Sequence, residues 1–147
     1  MTEINRRFYG LSSFLSLVTG MGIYLIFRNT NMLLFKWMPK LLFFKKIYIP
    51  IKQSVFTSIL LYILPDALWF LSGILLLRFI WFYKYKEQNV YIICFILMGA
   101  IFEISQLSKN VPGTFDWLDL FFMGIIALLE GLFNKIFINR SLKWKIK

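Results

Sequence analysis

The chain contains no histidine, one cysteine and only seven acidic residues. Without histidine, the commonest metal ligand and the commonest acid–base side chain near neutral pH are both missing. Cys94 alone can form no intrachain disulfide and no zinc site built from several thiolates. Charged residues of both signs make up 16% of the chain, against roughly 25% in soluble domains, too little to cover a folded surface in water. No residue before Ala67 is alanine, so the first apolar run lacks the small-residue cleavage site of a secretory signal and reads as a retained membrane helix. No repeat at a fixed period and no Gly/Ser-rich or Pro-rich linker divides the sequence, so residues 1–147 read as a single membrane domain. A soluble globular enzyme and a disordered chain are both excluded.

What is abundant is apolar surface. Of 147 residues, 59% are apolar and 20% aromatic, and the mean hydropathy is +0.70. Seventeen Lys+Arg give a net charge of +10. A helix crossing the hydrocarbon layer needs about 20 apolar residues, and four stretches meet that need: residues 8–27, 65–82, 90–107 and 115–137. The fold class predicted is therefore all-α, a polytopic four-transmembrane-helix bundle. Gly10, Gly20 and Gly22, with Ser12, Ser13 and Ser16, suit close helix packing in lipid. Trp69, Trp81, Trp117, Tyr83 and Tyr85 fall mostly near helix ends, where interfacial aromatic belts form.

Residues 28–64 differ in kind. Short aromatic runs alternate there with Lys36, Lys40, Lys45, Lys46 and Lys52, and Pro39 and Pro50 leave no piece long enough to span. Such a segment is expected to lie in the headgroup plane with its ammonium groups on anionic lipid phosphates. The lipid bilayer is thus the expected partner. The positive charges flank apolar helices instead of gathering on one folded face, which argues against nucleic acid. Four crossings place both termini on one side. That side carries nine Lys+Arg (Arg6, Arg7, Lys84, Lys86, Lys135, Arg140, Lys143, Lys145, Lys147) against seven on the other, so the positive-inside preference puts the termini in the cytoplasm.

Five of the seven acids lie inside apolar segments or at their mouths, where an ionised carboxylate is costly and marks a candidate site. Alternating helix direction brings Asp66, Glu103, Gln106, Asp116 and Asp119 to the side opposite the termini. Glu103 and Gln106 share a helix face, as do Asp116 and Asp119, each pair being three residues apart. Lys109, a divalent cation or a substrate amine could each balance such a cluster, and the sequence does not choose; no cofactor and no metal-ligand set is predicted. Asp116 and Asp66 also suit helix starts, Asp66 following Pro65 at an expected first helical position. Glu103 lies at the wrong end of its helix for capping and is the leading functional candidate. A second pair, Arg78 and Glu130, lies 12 residues after Asp66 and 11 after Asp119, which matches their depths at about 1.5 Å per residue and predicts an interhelical ion pair. Cys94 reads as a small core hydrophobe.

The blocks Pro65-Asp66-Ala67-Leu68-Trp69, Glu103-Ile104-Ser105-Gln106-Leu107 and Pro112-Gly113-Thr114-Phe115-Asp116-Trp117-Leu118-Asp119 resemble the VanZ-like family of small bacterial integral membrane proteins. A related uncharacterised group shows an even closer Asp-Ala-Leu-Trp block. The resemblance covers about residues 65–132 and marks Asp66, Glu103, Gln106, Asp116 and Asp119 as the family's polar signature. Its usual histidine, lysine and asparagine are absent, Phe70, Ala67 and Met123 standing near those positions, while Gly124 and Gly131 match its later glycines in part. The resemblance implies the bacterial cytoplasmic (inner) membrane and an envelope role, the founding member being associated with low-level resistance to the glycopeptide teicoplanin. Three functional readings follow: a non-catalytic protein modulating antibiotic susceptibility or envelope assembly, an enzyme acting on a lipid-linked envelope substrate through Glu103 and Asp119, and a structural subunit of a larger membrane complex.

Overall fold

A computed structural model describes residues 3–27, 54, 57, 59–108, 111 and 115–145. It contains four long helices: α1 (Glu3–Phe27), α2 (Leu64–Ile80, entered through a π-helical turn at Ile59–Ile63), α3 (Tyr85–Ser105) and α4 (Trp117–Lys145). Four segments within them are long and apolar enough to cross a membrane: Asn5–Phe27, Leu61–Ile80, Tyr85–Ser105 and Trp117–Lys135. The protein is an all-α, multi-pass membrane protein. Expected helix limits shift by a few residues, because α3 begins earlier through Tyr85–Asn89 and α4 runs on past Phe137. Lys36, Lys40, Lys45, Lys46, Lys52 and Lys109 lie outside the described residues.

Pro65 lies in the first turn of the α-helical part of α2, as the sequence suggested, and what the sequence did not suggest is the π turn leading into it. It sits fully buried just after the π turn, at the second position of the α-helix. Proline cannot donate to the carbonyl four residues back, and its ring crowds that carbonyl. The wider π turn is where the ladder absorbs the defect. At the other end of α2, a tight turn over Trp81–Lys84 returns the chain, with the Lys84 amide donating to the Trp81 carbonyl at 3.0 Å.

Neighbouring contacts fix the directions. Gly10, Ser13 and Gly20 of α1 meet Phe79, Ser72 and Trp69 of α2, so these two helices are antiparallel. Phe95 of α3 stacks on Phe70 of α2 with ring centroids 5.4 Å apart. These rings join Ile74, Leu77, Ile92, Ile96, Met123 and Ile126 in the apolar core shared by α2, α3 and α4. Helix α2 touches all three others, whereas among the described residues α1 has backbone contact only with α2 and its π turn. One end of the bundle, the terminus end, gathers the start of α1, the Trp81–Lys84 turn and the far end of α4. The other, the loop end, carries the α3–α4 connection.

Most side chains of α3 point out of the bundle, among them Ile93, Leu97, Met98, Ile101 and Phe102. That is the expected outer surface of a helix whose solvent is hydrocarbon. Cys94 is exposed on this face and is not part of the core; a thiol is apolar enough to face lipid as readily as protein. Aromatic pairs mark both ends, Trp81 with Tyr91 at the terminus end (4.5 Å) and Tyr24 with Trp69 at the loop end (5.2 Å).

The α1–α2 seam rests on close approach. A Cβ on Gly20 would lie 2.7 Å from Trp69 Cδ1 and 3.1 Å from the Pro65 carbonyl oxygen, whereas one on Gly22 would meet nothing within 4 Å. Gly20→Val is therefore expected to lower the unfolding free energy in detergent by about 1–3 kcal/mol, the usual range for overpacking. Gly22→Val leaves the thermal unfolding midpoint within error in the same measurement.

Candidate functional site

Arg78 is the most deeply buried charge among the described residues, with 4% of its surface exposed. Lying in the last turn of α2, it reaches Glu130 of α4 in a forked ion pair. Nε donates to Oε1 at 2.7 Å, and Nη2 donates to Oε2 at 3.0 Å. Nη1 donates to Gln88 Oε1 at 2.7 Å and to Asn89 Oδ1 at 2.9 Å, both in the first turns of α3. Asn134, one turn beyond Glu130, turns its amide oxygen to the guanidinium and accepts from Nη1 and Nη2 at 3.0 Å each. A guanidinium carries five N–H donors, and five side-chain oxygens surround this one.

The return contacts close the cluster. Gln88 Nε2 donates to the Arg78 carbonyl at 3.0 Å, one of the last carbonyls of α2 that no intrahelical donor reaches. The Tyr9 hydroxyl of α1 is in hydrogen-bond contact with the Asn134 amide at 3.4 Å. Tyr9, Gln88, Glu130 and Asn134 are all buried. One positive and one negative charge thus cancel among neutral dipoles supplied by all four helices. Two isolated ions would each lose several kcal/mol on leaving water, and only a fully bonded arrangement offsets this.

The cluster is near one surface, not at mid-depth. Arg78 is two residues inside the span end at Ile80, Gln88 three inside Tyr85, Tyr9 four inside Asn5 and Glu130 five inside Lys135. At about 1.5 Å per residue, these backbones lie roughly 3–8 Å inside the terminus ends of their spans. Arg6 extends the polar contacts outward: its Nε donates to the Phe79 carbonyl at 3.4 Å, and its guanidinium lies 4.9 Å from the Phe79 ring centroid.

At the loop end, Glu103 is buried and both its carboxylate oxygens are engaged. Gln106 Nε2 donates to Oε2 at 3.0 Å, and the backbone N–H of Asp116 donates to Oε1 at 3.1 Å. Asp116 in turn caps α4, its Oδ1 accepting from the Leu118 N–H at 2.9 Å. Glu103 therefore has a structural reason that its place at the end of α3 conceals. It satisfies the amide preceding the next helix and lies against that helix's positive end.

Glu103, Gln106 and Asp116 are thus brought into direct contact. Asp119 occupies the first turn of α4, its N–H donating to the Asp116 carbonyl at 3.2 Å. Asp66 occupies the first turn of α2. Both are half-buried and both are engaged within the protein. Among the described residues, no group of three or more acidic or thiol side chains is placed to hold a metal ion.

Sequence reasoning singled out Arg78 and Glu130 but not Tyr9, Gln88, Asn89 or Asn134. Gln88 and Asn89 fall in a polar stretch that reads as water-facing. Asn134 carried a usable signal, because four residues after Glu130 places it on the same helix face. Compared with protein-family models, with characterised proteins and with solved structures, the chain matches none.

Two outcomes follow from these contacts. Glu130→Leu, which strands the guanidinium, is expected to cost about 3–5 kcal/mol, while Arg78→Leu/Glu130→Leu recovers part of that loss. Denaturant titration in mixed micelles, or the amount of folded protein in membranes, reads the difference. Glu103→Ala, which removes an acceptor from the start of α4, is expected to cost about 1 kcal/mol in the same titration, near the value of a helix cap.

Proposed function

We propose that this chain is a small, non-catalytic integral membrane protein of the bacterial cell envelope, VanZ-like in its three motif blocks. In this reading it sits in the cytoplasmic membrane with both termini in the cytoplasm. It modulates glycopeptide susceptibility or envelope assembly through contacts at its outer, loop end. The observation that supports a non-catalytic role is the state of Glu103, the acid most favoured for chemistry. Each of its oxygens accepts a hydrogen bond from the protein itself, which holds the carboxylate in place at the start of α4, and the guanidinium of Arg78 is likewise surrounded by protein acceptors. A general base needs a lone pair aimed at a substrate proton.

The topology rests on the nine-to-seven split of basic residues. Exposed Arg7, Lys84, Lys86 and Lys135 belong to the proposed cytoplasmic side. Lys36, Lys40, Lys45, Lys46 and Lys52 belong to the outer side in this topology, where their ammonium groups would meet anionic lipid headgroups.

The test is a deletion strain of the host bacterium, challenged with teicoplanin and other envelope-active antibiotics and complemented with wild type, Glu103→Gln and Asp119→Asn at matched protein levels. Deletion is expected to change the inhibitory concentration at least about twofold, and both variants are expected to restore it. A glutamine at 103 still offers an acceptor, and Gln106 can turn its amide to meet the new NH₂ group. No change on deletion overturns the envelope role. Loss of rescue by Glu103→Gln alone overturns the non-catalytic reading in favour of an enzyme.

A further inference from the structure

We propose that Arg6 binds the phosphate of an anionic phospholipid at the terminus end, through its two terminal amino groups, Nη1 and Nη2. This goes beyond the functional reading above and does not depend on it.

Position is the first support. Arg6 is one residue inside the start of the α1 span at Asn5, and Phe79, which it contacts, is one residue inside the α2 span end at Ile80. Side chains at such a level meet the boundary between hydrocarbon and headgroups. The aromatic residues around it fit that boundary: Trp81 stacks on Tyr91, and Tyr83 and Tyr85 are exposed. Phosphate is the anion that a phospholipid bilayer offers there.

Geometry is the second support. The Arg6 guanidinium lies over two rings, 4.9 Å from the Phe79 centroid and 5.7 Å from the Tyr83 centroid. Its Nε donates to the Phe79 carbonyl at 3.4 Å. These contacts hold the side chain without engaging its far end. Nη1 stands 4.0 Å from Glu3 Oε1, beyond hydrogen-bond distance. Glu3 Oε2 accepts instead from the Tyr83 hydroxyl at 2.9 Å. The Arg6 side chain keeps 35% of its surface exposed, so its free end can be approached. A guanidinium held in this way offers a planar fork of N–H donors that matches two phosphate oxygens. Arg78 has the opposite character, its donors being met by five oxygens of the protein.

Charge is the third support. Among the described residues, the terminus end carries Arg6, Arg7, Lys84, Lys86 and Lys135 against Glu3 and Glu87, all at least half-exposed, while Arg78 and Glu130 cancel beneath them. On the other flank of the Trp81–Lys84 turn, the Lys84 ammonium lies 5.6 Å from the Trp81 ring centroid. This excess favours a lipid of net negative charge over a zwitterionic one. Arg7 supplies the control: its side chain is 80% exposed, so it adds charge without a held fork.

The test uses the full-length protein in vesicles of equal parts phosphatidylcholine and phosphatidylglycerol. After extraction in mild detergent, native mass spectrometry counts the lipids that stay bound. Wild type is expected to keep phosphatidylglycerol in preference to phosphatidylcholine, and Arg6→Gln to keep about one phosphatidylglycerol fewer per chain. Arg7→Gln is expected to keep the wild-type number. Arg6→Lys preserves the charge and can still reach the Phe79 carbonyl but has no fork, so it is expected to lose the same lipid. It decides the matter in the same way if Arg6→Gln does not accumulate. Absence of any preference in wild type overturns the proposal. So does the wild-type number in Arg6→Gln or Arg6→Lys; a lowered unfolding midpoint beside it marks Arg6 as a cap for α2 alone. Equal loss in Arg6→Gln and Arg7→Gln also overturns it, because a diffuse basic surface then draws the lipid.

Discussion

A guanidinium inside a lipid-facing bundle has to be surrounded by acceptors, and that requirement organises the rest of this molecule. Arg78 takes acceptors from α3 and α4, and Tyr9 ties α1 to the same group through Asn134. Each contact fixes the rotation of a helix about its own axis as well as its distance from α2. Apolar packing alone specifies rotation weakly in lipid, where every outward face is as greasy as the inward one. The ion pair adds little stability beyond what an apolar replacement of similar volume would give. Its value lies in excluding other arrangements of four helices.

The two ends of the bundle solve the same problem differently. At the terminus end, a strong charge is cancelled by an opposite charge and neutral amides. At the loop end, Glu103 accepts from neutral donors, the Asp116 N–H and the Gln106 amide, and lies against the start of α4. The result joins the end of α3 to the start of α4 through a carboxylate across 13 residues of chain. The Glu103–Asp116 contact and the Asp116 cap are consecutive, so the direction of α4 is set where it begins.

The four crossings were legible because a membrane span needs a long run without charge, and residues 8–27 supply one with no ionisable side chain other than Tyr9 and Tyr24. The Arg78–Glu130 juxtaposition was legible from matched distances along two helices of known rise. What was hidden has physical causes. Pro65 beside Asp66 marks the α-helical start of α2, but the π turn at Ile59–Ile63 before it was obscured because an apolar run carries no mark of that geometry. Gln88 and Asn89 were obscured because a polar stretch at a helix start looks solvated, whether or not a buried cation lies opposite. The partners of Glu103 were obscured because the amide it accepts from belongs to the start of the next helix. Cys94 was assigned to the core because small apolar residues usually lie there, but in a bilayer the outside is apolar too.

Cys94 carries one more consequence. It lies nine residues from Tyr85 and eleven from Ser105 on the exposed side of its span, or about 14 and 17 Å from the two ends at a rise of about 1.5 Å per residue. The single thiol of the chain therefore sits near the middle of its apolar span, on the outward face. A nitroxide attached there would sense the oxygen-rich, ion-poor centre of the membrane, giving the unaltered sequence its own gauge of immersion.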